Sequence, residues 1–231
     1  MPNAFARAML DQVQASDREV YYYMRRAGWL GWIKLSFPCR DFVEVRPEER
    51  ELLGDLLRDR ETPRVLDIGC GIGRHLSYLK LAKPSAELTG VEHNEVLSDH
   101  CRRTIPSGRF LRTLDDVPAG EKFDLILLMG NGLGIFGTKP GTRQALGRLF
   151  ELLAEGGVLL VEAGNRYSRG FKAMRLVIEY EGESDGPFWW GYASMRWLQR
   201  ELEPIGYRVR AMRPSNIGAE FFFCVAERPA V

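Results

Sequence analysis

The stretch VLDIGCGIGRH (65–75) holds the densest concentration of chemistry in the chain. An apolar run delivers Asp67, and Gly69, Gly71 and Gly73 follow at alternate positions before helix-forming residues resume. Glycine tolerates positive φ and has no Cβ, so a ligand can lie against bare backbone at such a turn. A helix starting just beyond it leaves N–H donors without intrahelical partners. Downstream, Glu92 closes a second apolar run in LTGVEHN (88–94). A carboxylate at the end of the neighbouring strand accepts hydrogen bonds from both hydroxyls of a ribose. Turn and acid together describe a nucleoside site.

Other chemistries are disfavoured. The dinucleotide fingerprint G-x-G-x-x-G needs a third glycine where Arg74 or Leu76 stands, and the phosphate loop G-x-x-x-x-G-K-[ST] is absent. There is no G-x-S-x-G elbow and no H-E-x-x-H. His93, His100 and Cys101 lack further paired ligands, so no metal site is expected. The groups that could act on a second ligand are Asn131, His75 and Glu162, each at a strand end or beside the glycine turn.

Positioning these residues requires a regular scaffold. Strand patterns at 63–69, 86–93, 108–113, 123–130 and 157–164 alternate with helix patterns at 72–82, 94–104 and 142–156. That alternation predicts an α/β fold with a parallel sheet covered by helices on both faces. Two strand-like runs, 174–180 and 187–194, are joined by EGESDG, a hairpin signal. A helix at 195–206 and two adjacent strands at 207–213 and 220–227 close the chain, which predicts a final antiparallel hairpin. Ahead of the core, 4–26 reads as a helix ending near Gly28, and 46–61 as a leucine-striped helix with Pro47 in its first turn.

The 231 residues carry 32 Lys+Arg against 31 Asp+Glu, with 45% hydrophobic residues. This balance suits a globular domain, not a nucleic-acid binder with a basic patch. No apolar stretch is long enough for a transmembrane helix, and the N-terminus lacks the apolar run of a signal peptide. The four scattered cysteines read as reduced thiols, and a cytoplasmic location is expected.

Taken in order, VLDIGCGIGRH, GVEHN, FDLILLMGNG and LLAEGGVLLVEAG resemble the class I (Rossmann-like) methyltransferases that use S-adenosylmethionine. The resemblance spans about residues 63–164. It implies a doubly wound, mostly parallel seven-stranded sheet in the order 3-2-1-4-5-7-6 with the last strand antiparallel. It also implies an N-terminal helical cap (1–45) on a methyltransferase domain (46–231), and a hairpin insertion (165–193) after the fifth strand. The parts form one compact unit, a monomer or homodimer. On this resemblance Asp67 and the Gly69–Cys70–Gly71 backbone hold the methionine end of S-adenosylmethionine. Glu92 takes the ribose, His93 lies along the adenine, and Met129 and Gly130 border the reacting methyl. S-adenosylhomocysteine is the implied product.

The family often places an acid just after the third strand to meet the adenine amino group. Here Thr113 and Leu114 fall there and Asp115 comes later, so Thr113 and Asp115 both stay open. The expected acceptor is a small molecule, methylated by in-line displacement with catalysis mainly by positioning. Tyr22, Asn131, Asn165, Trp190 and Tyr192 are the candidate acceptor-binding residues, with the aromatic ones forming a wall. Alternatives are a non-catalytic cofactor- or partner-binding module on this fold, and an aminopropyltransferase-like enzyme. That last family carries an aspartate after the fourth strand, where Gly130–Asn131 stands.

Overall fold

The computed structural model describes residues 3–15, 19–28, 31–164, 170–216 and 220–230. Helix α1 covers only Ala4–Gln14. Where the sequence pattern extends that helix to residue 26, the chain instead forms β1 (Tyr21–Gly28), antiparallel to β2 (Gly31–Pro38). The three tyrosines explain the correction. Tyr22 is 1% exposed, whereas Tyr21 and Tyr23 are 46% and 41% exposed, the two-residue period of a pleated strand. Aromatic side chains favour that surface over a helix. The N-terminal cap is therefore a helix plus a hairpin. A short α2 (Arg40–Val43) and α3 (Pro47–Leu56) lead into the core.

The core alternates as expected: β3 (Arg64–Ile68), α4 (Arg74–Ala82), β4 (Glu87–Val91), α5 (Glu95–Thr104), β5 (Arg109–Leu111), β6 (Phe123–Leu128), α6 (Lys139–Leu152) and β7 (Leu153–Gly164). After the inserted β8 (Phe171–Tyr180) and β9 (Glu183–Ala193) come α7 (Met195–Leu202), β10 (Arg208–Pro214) and β11 (Phe221–Glu227). The main sheet has the order β10-β11-β7-β6-β3-β4-β5. Numbered within the sheet alone, this is the expected 3-2-1-4-5-7-6, and β11 runs antiparallel to both neighbours. Leu125, Ile126, Leu127 and Leu128 are fully buried. That is the signature of a central strand covered on both faces.

The inserted hairpin does not stand alone. β1 pairs with β8, Tyr23 opposite Glu179 through Arg26 opposite Leu176, giving a second antiparallel sheet β2-β1-β8-β9. Segments distant in sequence thus build one cover. Beneath it Met9, Tyr22, Cys39, Ile178 and Tyr180 form an apolar cluster that also takes in Ile72 of the glycine turn and Leu97 of α5. The cover is therefore packed directly onto the ends of the core strands. No helix among the described residues is long and apolar enough to cross a membrane.

Candidate functional site

The glycine turn sits at the carboxyl end of β3, where ligands bind in open α/β sheets. Gly69, Gly71 and Gly73 all have positive φ, at 69°, 58° and 75°. The Gly69 and Cys70 N–H groups donate to Val91 O at 2.8 and 3.1 Å, tying the turn to β4. A Cβ at Gly71 would meet nothing within 4 Å, so this backbone faces open space. Asp67 is 1% exposed, and its Oδ2 accepts no hydrogen bond among the described residues; His75 Nδ1 stands off at 3.6 Å. A buried carboxylate oxygen without a donor requires one from elsewhere.

Glu92 is buried and spans two turns. Its Oε2 accepts from Gly71 N at 3.0 Å and its Oε1 from Asn94 N at 2.7 Å. Each carboxylate oxygen keeps a second lone pair. His93 is exposed, with Nδ1 at 3.3 Å from Glu92, which raises its pKa above the ordinary value. After β5, the Thr113 N–H and hydroxyl donate to Asp116 at 2.8 and 3.0 Å. Asp115 and Leu114 also line the cavity described below.

Behind the turn lies a buried charge cluster that the sequence did not disclose. Glu49 has no exposed surface. It accepts from both Arg74 guanidinium nitrogens at 2.7 and 2.8 Å, and its Oε1 lies 3.3 Å from His75 Nε2. Arg46 bridges Glu49, Glu48 and Glu162. Glu162, read from sequence as a possible acid–base group, does not line the cavity. It is held by Arg46 and Ser215, and its Oε2 accepts from Gly130 N at 3.0 Å. Its role is to fix the end of β6. The one available signal was Arg74 in place of a fingerprint glycine.

Asn131 adopts φ 59°, unusual for a non-glycine residue. Its Oδ1 accepts from Gly164 N at 3.0 Å, and its Nδ2 donates to Gly191 O at 3.4 Å, joining the core sheet to β9. Met129 and Gly130 complete the β6 end. Phe188, Trp190 and Tyr192 share one face of β9 and line the cavity, as does Tyr22, which stacks on Phe37 with ring centroids 5.6 Å apart. Asn165 lies outside the described residues.

Asp67, the glycine turn, Glu92, His75, Asn131 and the aromatic wall open onto one cavity of ≈ 1870 Å³. A single small ligand needs about 300–1,000 Å³, so the space suits two ligands side by side. All four cysteines are free and buried.

Residues 65–157 match the family model described as a methyltransferase domain. A trans-aconitate 2-methyltransferase from Variovorax paradoxus is 26% identical over 174 residues, covering 73% of this chain and 63% of that protein. A dTDP-3-amino-3,4,6-trideoxy-α-D-glucopyranose N,N-dimethyltransferase from Streptomyces venezuelae is 30% identical over 113 residues, 48% of this chain and 47% of that protein. The chain thus spans less than two thirds of the length of these curated relatives. A Bacteroides fragilis SAM-dependent methyltransferase, solved with S-adenosyl-L-homocysteine, shares the fold with a TM-score of 0.78 at 15% identity. The match covers 99% of this chain and 96% of that one.

Proposed function

Because this chain carries a class I S-adenosylmethionine-dependent methyltransferase domain, we propose that it transfers a methyl group to a small-molecule acceptor. The observation that carries this reading is the single cavity running from the Asp67–Gly71–Glu92 end to the aromatic chamber under the cover sheet. The residues present fit the cofactor. The unpartnered Asp67 Oδ2 suits the ammonium of a methionyl group. The open backbone at Gly71 suits close approach, and the remaining lone pairs of Glu92 suit ribose hydroxyls. Thr113 and Asp115 both line the cavity and both can accept from the adenine amino group: the Thr113 hydroxyl donates to Asp116 but keeps its own lone pairs.

When bound, the cofactor supplies a methyl group already activated on a sulfonium. The chain's share is then to orient and to exclude water, which can account for much of the rate. Glu162 and Asn131 fix the backbone on either side of Gly130. The described parts of residues 1–45 and 165–193 act together as the cover over the acceptor.

Titration calorimetry with S-adenosylmethionine, S-adenosylhomocysteine and NAD tests this. Saturable one-to-one binding of the first two and none of NAD is expected, followed by a gain of one methyl mass on a small acceptor. Binding of NAD alone, or of none of the three, overturns the reading.

A further inference from the structure

The acceptor chamber has an uneven distribution of committed and uncommitted charge. At the cofactor end, Asp67 and Glu92 have the roles described above. Arg74 reaches the cavity, but Glu49 and the Glu44 carbonyl take its donors. Arg46, the other cation of that cluster, is shared among three carboxylates. Arg148 donates to Val117 O and sits with Arg112 beside the 113–117 turn, at the adenine end. Asp185 caps α1 through the Ala4 and Phe5 N–H groups. Asp41 is different. It lines the cavity, is half-buried, and makes no hydrogen bond or ion pair among the described residues.

Asp41 also belongs to an element that reaches the end of β6. It sits on α2 next to Phe42, and a Cβ built on Gly130 would fall 3.5 Å from Phe42 Cε1. Thus α2 abuts the end of β6, the border of the reacting methyl in the reading above. Phe5, Tyr22, Phe37, Phe188 and Trp190 line the same cavity. Phe42 meets Phe5 and Tyr22 edge-on, both at 5.9 Å between centroids. Aromatic faces attract a cation, and among the described residues no uncommitted cation lies here to receive a carboxylate.

We propose that this chamber takes an amine acceptor with an apolar or aromatic body, its nitrogen held at Asp41 and its body against the aromatic wall. The proposal rests on the methyl-transfer reading and narrows it to N-methylation. Before the transfer the bound ammonium gives one proton to the Asp41 carboxylate, which frees the nitrogen lone pair. That pair forms the new N–C bond, the pair of the breaking S–C bond returns to sulfur, and the methylated nitrogen carries the positive charge. Burial raises the pKa of that carboxyl, which suits it to accept a proton.

The test uses the full chain saturated with S-adenosylhomocysteine, titrated with 2-phenylethylamine and with 3-phenylpropanoate, a carboxylate of similar length. The amine should bind about tenfold more tightly or better, the scale of one charge-assisted contact. Asp41→Asn should erase that preference while keeping S-adenosylhomocysteine affinity and the melting temperature. Equal or tighter binding of the carboxylate, binding of neither probe, or an unchanged preference in Asp41→Asn overturns the proposal. Loss of S-adenosylhomocysteine binding by the wild-type chain is a separate result, and would sink the methyl-transfer reading instead.

Discussion

Asp185, on the second strand of the inserted hairpin, accepts the backbone N–H groups of Ala4 and Phe5 at 3.0 and 2.7 Å. A helix leaves its first N–H groups unpaired, and a carboxylate there also complements the helix dipole. At the other end of α1, the Tyr180 hydroxyl donates to Asp11 at 2.7 Å. The first helix is thus fastened to a hairpin far away in sequence, and the cover is one unit. Asp185→Ala should lower stability by about 0.5–2 kcal/mol, the usual cost of a lost helix cap. In a chain of this size that is a fall of roughly 2–4 °C per kcal/mol in Tm. Thermal melts with and without S-adenosylhomocysteine check this. An unchanged Tm would show that α1 does not depend on the contact.

Glu92 joins the glycine turn to the start of α5 through Gly71 N and Asn94 N. Its loss should therefore act twice, by removing acceptors for a ribose and by loosening the turn. Glu92→Ala should weaken S-adenosylhomocysteine binding by about 1–3 kcal/mol. Glu92→Gln, which keeps one carbonyl oxygen, should weaken it less. Calorimetry on both variants reads the difference, and unchanged affinity in Glu92→Ala would remove Glu92 from the site.

The buried Glu49 cluster makes stability depend on acid. Burial alone would raise the Glu49 pKa. His75, Arg74 and Arg46 outweigh it and hold the carboxyl at about 2, against an ordinary 4.5. Because the folded-state value lies below the unfolded one, the contribution is complete above the ordinary value and is lost as pH falls towards 2. Denaturant unfolding at a series of pH values should therefore show stability declining from about pH 4.5 downward. Glu49→Gln should decline less steeply in that window, from a neutral-pH stability lower by about 3–5 kcal/mol, the cost of breaking a buried pair. Parallel slopes in the two proteins would mean that Glu49 is not the group being titrated.

The core could be read from sequence because each buried parallel strand leaves a run such as FDLILL. Asp67, the glycine turn and Glu92 follow from their places at the ends of such runs, and the structure brings all three to one cavity. The cover was harder to read. Tyr21–Tyr23 is too short for its two-residue period to outweigh the helical pattern before it, and the partner of β1 is β8, far along the chain. Asp41 and Glu49 were invisible for another reason. In CRDF and RPEER a charged residue reads as solvent-facing, and only the tertiary fold puts Glu49 under Arg74 or turns Asp41 to the cavity.

The aromatic wall of the cavity depends on a missing side chain. A Cβ on Gly134 would collide with Nε1 and Cδ1 of Trp190, so the indole of β9 rests directly on the backbone of the Gly132–Phe136 turn. Gly134→Ala must push Trp190 away or shift the turn, at about 1–3 kcal/mol for such overpacking. Trp190→Ala removes the obstacle at its own cost in lost packing. Because the two residues are in contact, the double variant should lose less stability than the sum of the two single losses. Denaturant unfolding of the four proteins measures that coupling, and simple additivity would mean that Trp190 does not lie on Gly134. S-adenosylhomocysteine affinity should hold in all four, because neither residue belongs to the Asp67–Gly71–Glu92 end. If the acceptor meets this face, as proposed, its KM should rise in both single variants.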